Sequence, residues 1–200
     1  MLDLEPATRV LTDLVRGVRD DQLSLPTPCV EAGLGDLLDH VDGFSVACTA
    51  AATKTPSPGG GQRARPDASR LGTDWRTRIP GRLAALAAAW REPAAWTGRT
   101  SVGGQDFPGE VTGVIALDEV VVHTWDIAAA SGQQFRCEPH LLEAAYGFVH
   151  GVVAENPQGV PGLFEPPRAG FAGRAAAGPA DRTDGARPAL ADAPCRGLSR

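Results

Sequence analysis

The stretch ALDEVVVHTWDIAAASGQ, residues 116–133, constrains the fold of this chain more than any other. It is mostly apolar, yet Glu119, His123 and Asp126 sit inside it. Burying ionisable groups is costly unless they are paired, hydrogen-bonded or bound to a metal. Val120, Val121 and Val122 would also suit a strand. The length of the segment and the IAAAS run favour a helix, which Pro108 and Glu110 suit at its first turn and Gly132 stops. Successive helical residues turn by about 100°. Glu119 and His123 then share a face, and Asp126 stays on the same stripe. Ala116 and Ala130 extend that stripe with small side chains, leaving room beside it. Val121, Val122, Trp125 and Ile127 cover much of the remaining surface, so the helix is expected at the centre of a bundle.

Four further helices are predicted around it. Leu4, Ala7, Leu11, Leu14, Val15 and Val18 recur at helical spacing, which predicts a helix over 4–23. SLPTPC at 24–29 breaks it with two prolines. A second helix is predicted over 34–53, with Leu34, Leu37, Leu38, Val41, Phe44 and Cys48 as its apolar stripe and Asp36, Asp39 and Asp42 largely elsewhere. The Pro/Gly-rich 55–67 reads as a loop. A third helix follows over 68–91, with Pro80 expected to kink or interrupt it. Residues 92–110 carry turn signals and room for a short hairpin. A fifth helix spans 139–154. The fold class is therefore all-α, an up-down bundle of four or more helices, with residues 1–165 as the domain. Residues 166–200 have few large apolar side chains and no helical or strand period, which predicts an irregular or disordered tail.

The net charge of −5, without any basic cluster, argues against nucleic acid as a partner. No run of about 18 apolar residues predicts a membrane span. MLDLEPATRVL lacks the pattern of a secretory leader. Cys29, Cys48, Cys137 and Cys195 are scattered, with no C-x-x-C pair, which argues against a disulfide framework or a zinc–thiolate site and favours a reducing cytoplasm. Cys29 reads as a small buried packing residue, and Trp75, Trp90, Trp96 and Trp125 as core and boundary packing.

A carboxylate and an imidazole at this helical spacing can grip one divalent ion, with a further ligand supplied by a facing helix. His40, on the second helix beside Val41 and one turn from Leu37 and Phe44, is the best candidate. His140, expected to be exposed at a helix start, and His150, read as a cation near a helix end, are weaker. Against this stands the plainer reading, in which Glu119 and His123 merely pair and His40 is an ordinary core or boundary histidine.

Two blocks weigh against the plainer reading. PTPCVEAGLGDLLDHVDG at 26–43, followed by ALDEVVVHTWDIAAASGQ, resembles the DinB-like metalloenzyme superfamily. The branch most similar is that named for mycothiol-dependent maleylpyruvate isomerase, and the likeness covers roughly residues 4–165. The resemblance implies an up-down four-helix bundle, with His40, Glu119 and His123 as ligands of a divalent metal. Zinc is the first choice, with nickel or another divalent ion as alternatives. It also implies an open coordination position, mycothiol or a similar small thiol as cosubstrate, and a small electrophile as the other partner. A transferase or isomerase activity follows from that set, and a non-catalytic metal-binding sensor or partner-binding bundle is the alternative. A homodimer is compatible with either. Asp126 would either orient His123 from behind or hydrogen-bond a neighbouring loop. Two departures stand out: Ala32 occupies a region where relatives carry Trp after the P-T-P-C turn, and 166–200 lack the Leu-rich terminal segment of relatives.

Overall fold

The computed structural model describes residues 1–29, 32–57, 65–156 and 158. Five α-helices form its frame: α1 (Glu5–Gly17), α2 (Leu34–Thr53), α3 (Trp75–Trp90), α4 (Gly109–Ser131) and α5 (Pro139–Glu155). A two-stranded antiparallel hairpin, β1 (Arg99–Val102) and β2 (Gln105–Pro108), precedes α4 and pairs Arg99 with Pro108 and Val102 with Gln105. The chain is thus all-α with one short hairpin, as its patterning predicts. The expected tail, 166–200, lies outside the described residues, as does most of 157–165.

Helices α1 and α2 both pack on α3 and on α4, while α5 covers the outer side of α4. The bundle therefore runs α1–α3–α2–α4 around its axis. Leu4, Leu11, Val15, Leu34, Leu38, Val41, Ile79, Leu83, Leu86, Trp90, Leu117 and Val120 fill its interior. All the expected stripe residues of α1 and α2 are buried there.

The two helices whose limits differ from expectation show why. The predicted helix over 4–23 stops at Gly17; Val18 turns extended and Asp20–Gln22 form a separate 3-10 turn. Distant bonds decide this end. Gln22 donates to the Ser131 carbonyl at 3.1 Å, and Gln133 donates to the Leu14 carbonyl at 3.0 Å. These side chains lock the end of α1 to the end of α4, which local periodicity cannot register. The predicted helix over 68–91 likewise begins at Trp75. Residues Ala68–Arg70 form a 3-10 turn capped by Asp67, and Gly72, in the left-handed region at φ 63°, turns the chain before α3 starts. Pro80 is buried inside α3, and the helix continues through it.

The acidic residues off the apolar stripe of α2 organise this segment. Asp36 accepts from the Gly33 and Ala68 amides at 3.0 and 2.8 Å. Asp39 accepts from the Asp67 amide and from Arg70, at 2.9 and 2.6 Å. Asp42 takes Arg78 and Arg82 at 3.0 and 2.7 Å. Successive turns of one helix face thereby position the start of α3.

The hairpin is pinned to the bundle. Thr100 donates to the Ala51 carbonyl at 2.7 Å, and Lys54, the only lysine of the chain, donates to the Thr97 carbonyl at 2.8 Å. Trp96 lies edge-on to Trp90 and donates to its carbonyl at 2.7 Å. Gly113 permits the close approach of α4 to this indole: a Cβ there would lie 2.5 Å from the Trp96 ring.

Candidate metal centre

Every residue of α4 from 115 to 128 is buried. A helix so placed presents any polar group it carries to the interior of the bundle. Glu119 and His123 point from α4 toward α2, where His40 meets them across the interface. Their relative exposures are 5% for His40, 1% for Glu119 and 0% for His123. One oxygen serves as the centre of the group: Glu119 Oε2 lies 3.3 Å from His40 Nε2 and 3.2 Å from His123 Nε2. The two imidazoles meet nearly edge-to-face, with centroids 4.7 Å apart. The Phe44 ring packs against both, at 5.6 and 5.9 Å.

Asp126 stands behind His123 and accepts a hydrogen bond from its Nδ1 at 2.9 Å. A carboxylate offers only acceptors, so Nδ1 carries its hydrogen in either charge state and Nε2 is the nitrogen that gains or loses the second proton. That Nε2 is fully buried and faces Glu119 Oε2 at 3.2 Å. Burial works against a charged imidazole here. The bond to Asp126 and the nearby Glu119 carboxylate outweigh it and raise the pKa of His123 to about 9.

The donor set suits a divalent cation. One ligand atom from each of His40, Glu119 and His123 falls within 4.8 Å of the others. Bond lengths of 2.0–2.1 Å around a tetrahedral zinc ion imply ligand–ligand separations of ~3.3 Å. The 3.2 and 3.3 Å spacings about Glu119 match that edge. The buried Nε2 of His123, once it gives up its proton, offers an ion a lone pair beside the Glu119 carboxylate.

The family of the mycothiol maleylpyruvate isomerase N-terminal domain matches residues 4–128. The chain belongs to this family. That stretch includes α1 to α3 and the part of α4 that carries Glu119, His123 and Asp126. Within the wider set of known proteins, the chain is similar to two from Mycobacterium tuberculosis, "Uncharacterized protein MT0763" of strain CDC 1551 / Oshkosh and "Uncharacterized protein Rv0738" of strain H37Rv. Each is 31% identical over 131 residues, covering 64% of this chain and 65% of the relative. The chain thus spans just under two thirds of the length of the curated relatives it matches. No solved structure matches.

His40, Glu119 and His123 come together, and Asp126 touches His123. His140 and His150 are exposed on α5 and join no metal-ligand cluster among the described residues. His150 lies five residues before the end of α5 at Glu155, outside a last turn that carries no basic residue, so it is not a C-terminal cation. Cys29 is buried, as expected of a packing residue, but its thiol also meets Asp126: Sγ donates to Oδ2 at 3.9 Å. Phe44 was read only as core, yet it bounds the site. Asp118, fully buried next to Glu119, had no assigned part. The proximity of Cys29 depends on a contact 97 positions apart, which no local pattern encodes. All four tryptophans are buried. No helix among the described residues is long and apolar enough to cross a membrane.

Proposed function

We propose that this chain binds one divalent cation through His40, Glu119 and His123 and uses it to activate a low-molecular-weight thiol, of the mycothiol type, in a transferase or isomerase reaction on a small electrophile. The observation that carries this reading is the convergence of two imidazole nitrogens on a single carboxylate oxygen in a buried, family-matched site. Zinc fits the donor set best, with nickel or another divalent ion as competing occupants. Three protein ligands leave a coordination position open, the pattern of catalytic rather than structural zinc sites.

A bound zinc ion would supply a lowered thiol pKa and a Lewis acid for a carbonyl oxygen. The chain's own residues prepare for both. Asp126 holds the hydrogen of His123 on Nδ1, so that Nε2 is the nitrogen that gives up its proton when an ion is bound. Glu119 contributes negative charge that offsets a divalent ion, in an interior it shares with the buried Asp118 and Asp126. Phe44 and the surrounding aliphatic side chains limit water around the imidazoles, which strengthens every electrostatic interaction among them. Asp126, by this reading, positions a ligand and does not itself touch the ion.

Near-complete burial of all three ligands favours a second reading, a non-catalytic metal-binding sensor or partner-binding bundle. Elemental analysis of protein purified without chelator tests the site itself. About one divalent ion per chain is expected, lost in His123→Ala; a metal-free protein that also resists reloading would overturn both readings. Thiol-conjugation assays with a panel of electrophiles then separate them. Metal-dependent turnover supports the enzyme, and a loaded protein inert toward every thiol supports the binding role.

A further inference from the structure

The P-T-P-C turn ends on a thiol directed at the site. Thr27 shapes the turn: its hydroxyl accepts from the Cys29 amide at 3.2 Å and donates to the Ala32 carbonyl at 2.9 Å. Pro26 and Gly33 bridge across its base, and the Leu34 amide donates to the Leu25 carbonyl at 2.9 Å. The turn is thereby tied to the start of α2, the helix that carries His40. Cys29, 4% exposed, projects from it toward α4.

The same oxygen receives two donors. Asp126 Oδ2 accepts from His123 Nδ1 at 2.9 Å and from Cys29 Sγ at 3.9 Å. A buried carboxylate needs donors to offset its lost hydration, and a thiol is a weak one. Its value here is directional. It approaches from the loop, whereas His123 approaches from the same helix as Asp126. A carboxylate held from two sides has less freedom to rotate away from the imidazole. Nε2, on the far side of His123 and turned toward Glu119 and His40, gives that orientation a purpose.

We propose that Cys29 is a positioning residue of the metal centre: through Asp126 Oδ2 it fixes the orientation of the His123 imidazole. This rests on the metal-binding reading above. Groups bonded directly to a metal-bound histidine typically change affinity by ~10–100-fold when removed. Cys29 acts one bond further out through a weaker donor, so about a threefold to tenfold loss is expected.

The test is zinc affinity of the full chain, by competition with a chromophoric chelator, together with the visible spectrum of the cobalt(II)-loaded protein. Far-UV circular dichroism checks that each variant is folded. Cys29→Ala is expected to weaken zinc and shift the cobalt bands, while Cys29→Ser, which keeps a donor, stays close to the parent. In an Asp126→Asn background, Cys29→Ala should have no further effect, because its route to His123 is gone. A purely structural role would lower affinity equally in both backgrounds. The proposal is overturned if Cys29→Ala binds zinc like the parent with an unchanged cobalt spectrum, if Cys29→Ser falls as far as Cys29→Ala, or if the loss persists in the Asp126→Asn background. In those cases the parent still binds zinc and the metal-binding reading stands. A parent protein that binds no metal removes both together.

Discussion

His123 donates from Nδ1 to Asp126 Oδ2 at 2.9 Å, and this one bond decides which face of the imidazole is a base. With Nδ1 occupied, Nε2 is the only nitrogen left to turn toward Glu119 and His40. The pair lies three residues apart on α4, so the helix itself sets the geometry.

Asp126→Asn should therefore weaken metal binding although Asp126 is not a ligand in our reading. An amide can donate as well as accept, so it no longer enforces the Nδ1–H tautomer. A loss of about 10–100-fold in zinc affinity is expected. Chelator competition measures it, and an unchanged affinity would show that the bond does not matter to the site.

Loading with zinc should raise thermal stability, since an ion that binds only the folded chain stabilises it by mass action, ~4 kcal/mol at a thousandfold excess over Kd. Differential scanning fluorimetry with and without chelator reads this directly. The shift is expected to vanish in Glu119→Gln and in His40→Ala. A zinc-dependent shift of full size in either variant would place the ion elsewhere.

The metal-free protein should lose stability as pH rises. The ordinary histidine pKa is about 6.5, and that of His123 is raised to about 9. A raised pKa means that the folded state holds the proton more tightly than the unfolded chain. Its contribution is thus complete below about pH 6.5 and lost as pH climbs through about 9. The melting temperature of chelator-treated protein should fall across that window, and His123→Gln should flatten the curve. A melting temperature that holds steady from pH 6.5 to 9.5 in the parent would contradict the charged state assigned to this ring.

Gly113→Ala should destabilise the fold without touching the site. The added Cβ would sit 2.5 Å from the Trp96 ring, whose indole is anchored to the Trp90 carbonyl and cannot swing aside cheaply. Overpacking of this kind costs roughly 1–3 kcal/mol. Urea denaturation measures the loss, and zinc stoichiometry should stay at the parental value. Parental stability would mean that the indole yields.

Much of this fold is legible from spacing alone. The limits of α2 fall at Leu34 and Thr53, where its apolar stripe predicts them, and α4 stops at Gly132, in the left-handed region at φ 73°. The site was legible for a chemical reason. Ionisable groups inside an apolar helix require partners, and His40 was a histidine on another apolar helix able to meet them. What escaped were features written by distant contacts. Gln22 and Gln133 end α1 through bonds that reach more than a hundred positions along the chain. Gly72 and the Asp67 cap set the start of α3 through a turn rather than a helical period. Cys29 meets Asp126 only after the bundle has closed.

The bond from Lys54 to the Thr97 carbonyl carries a practical consequence. Because the chain has no other lysine, acylating reagents find only one side-chain amine, and it sits where α2 hands over to the hairpin. Acetylation there removes the ammonium charge and two of its three hydrogens. Any lysine-directed tag or surface-coupling chemistry on this protein would therefore report on, and loosen, that single joint.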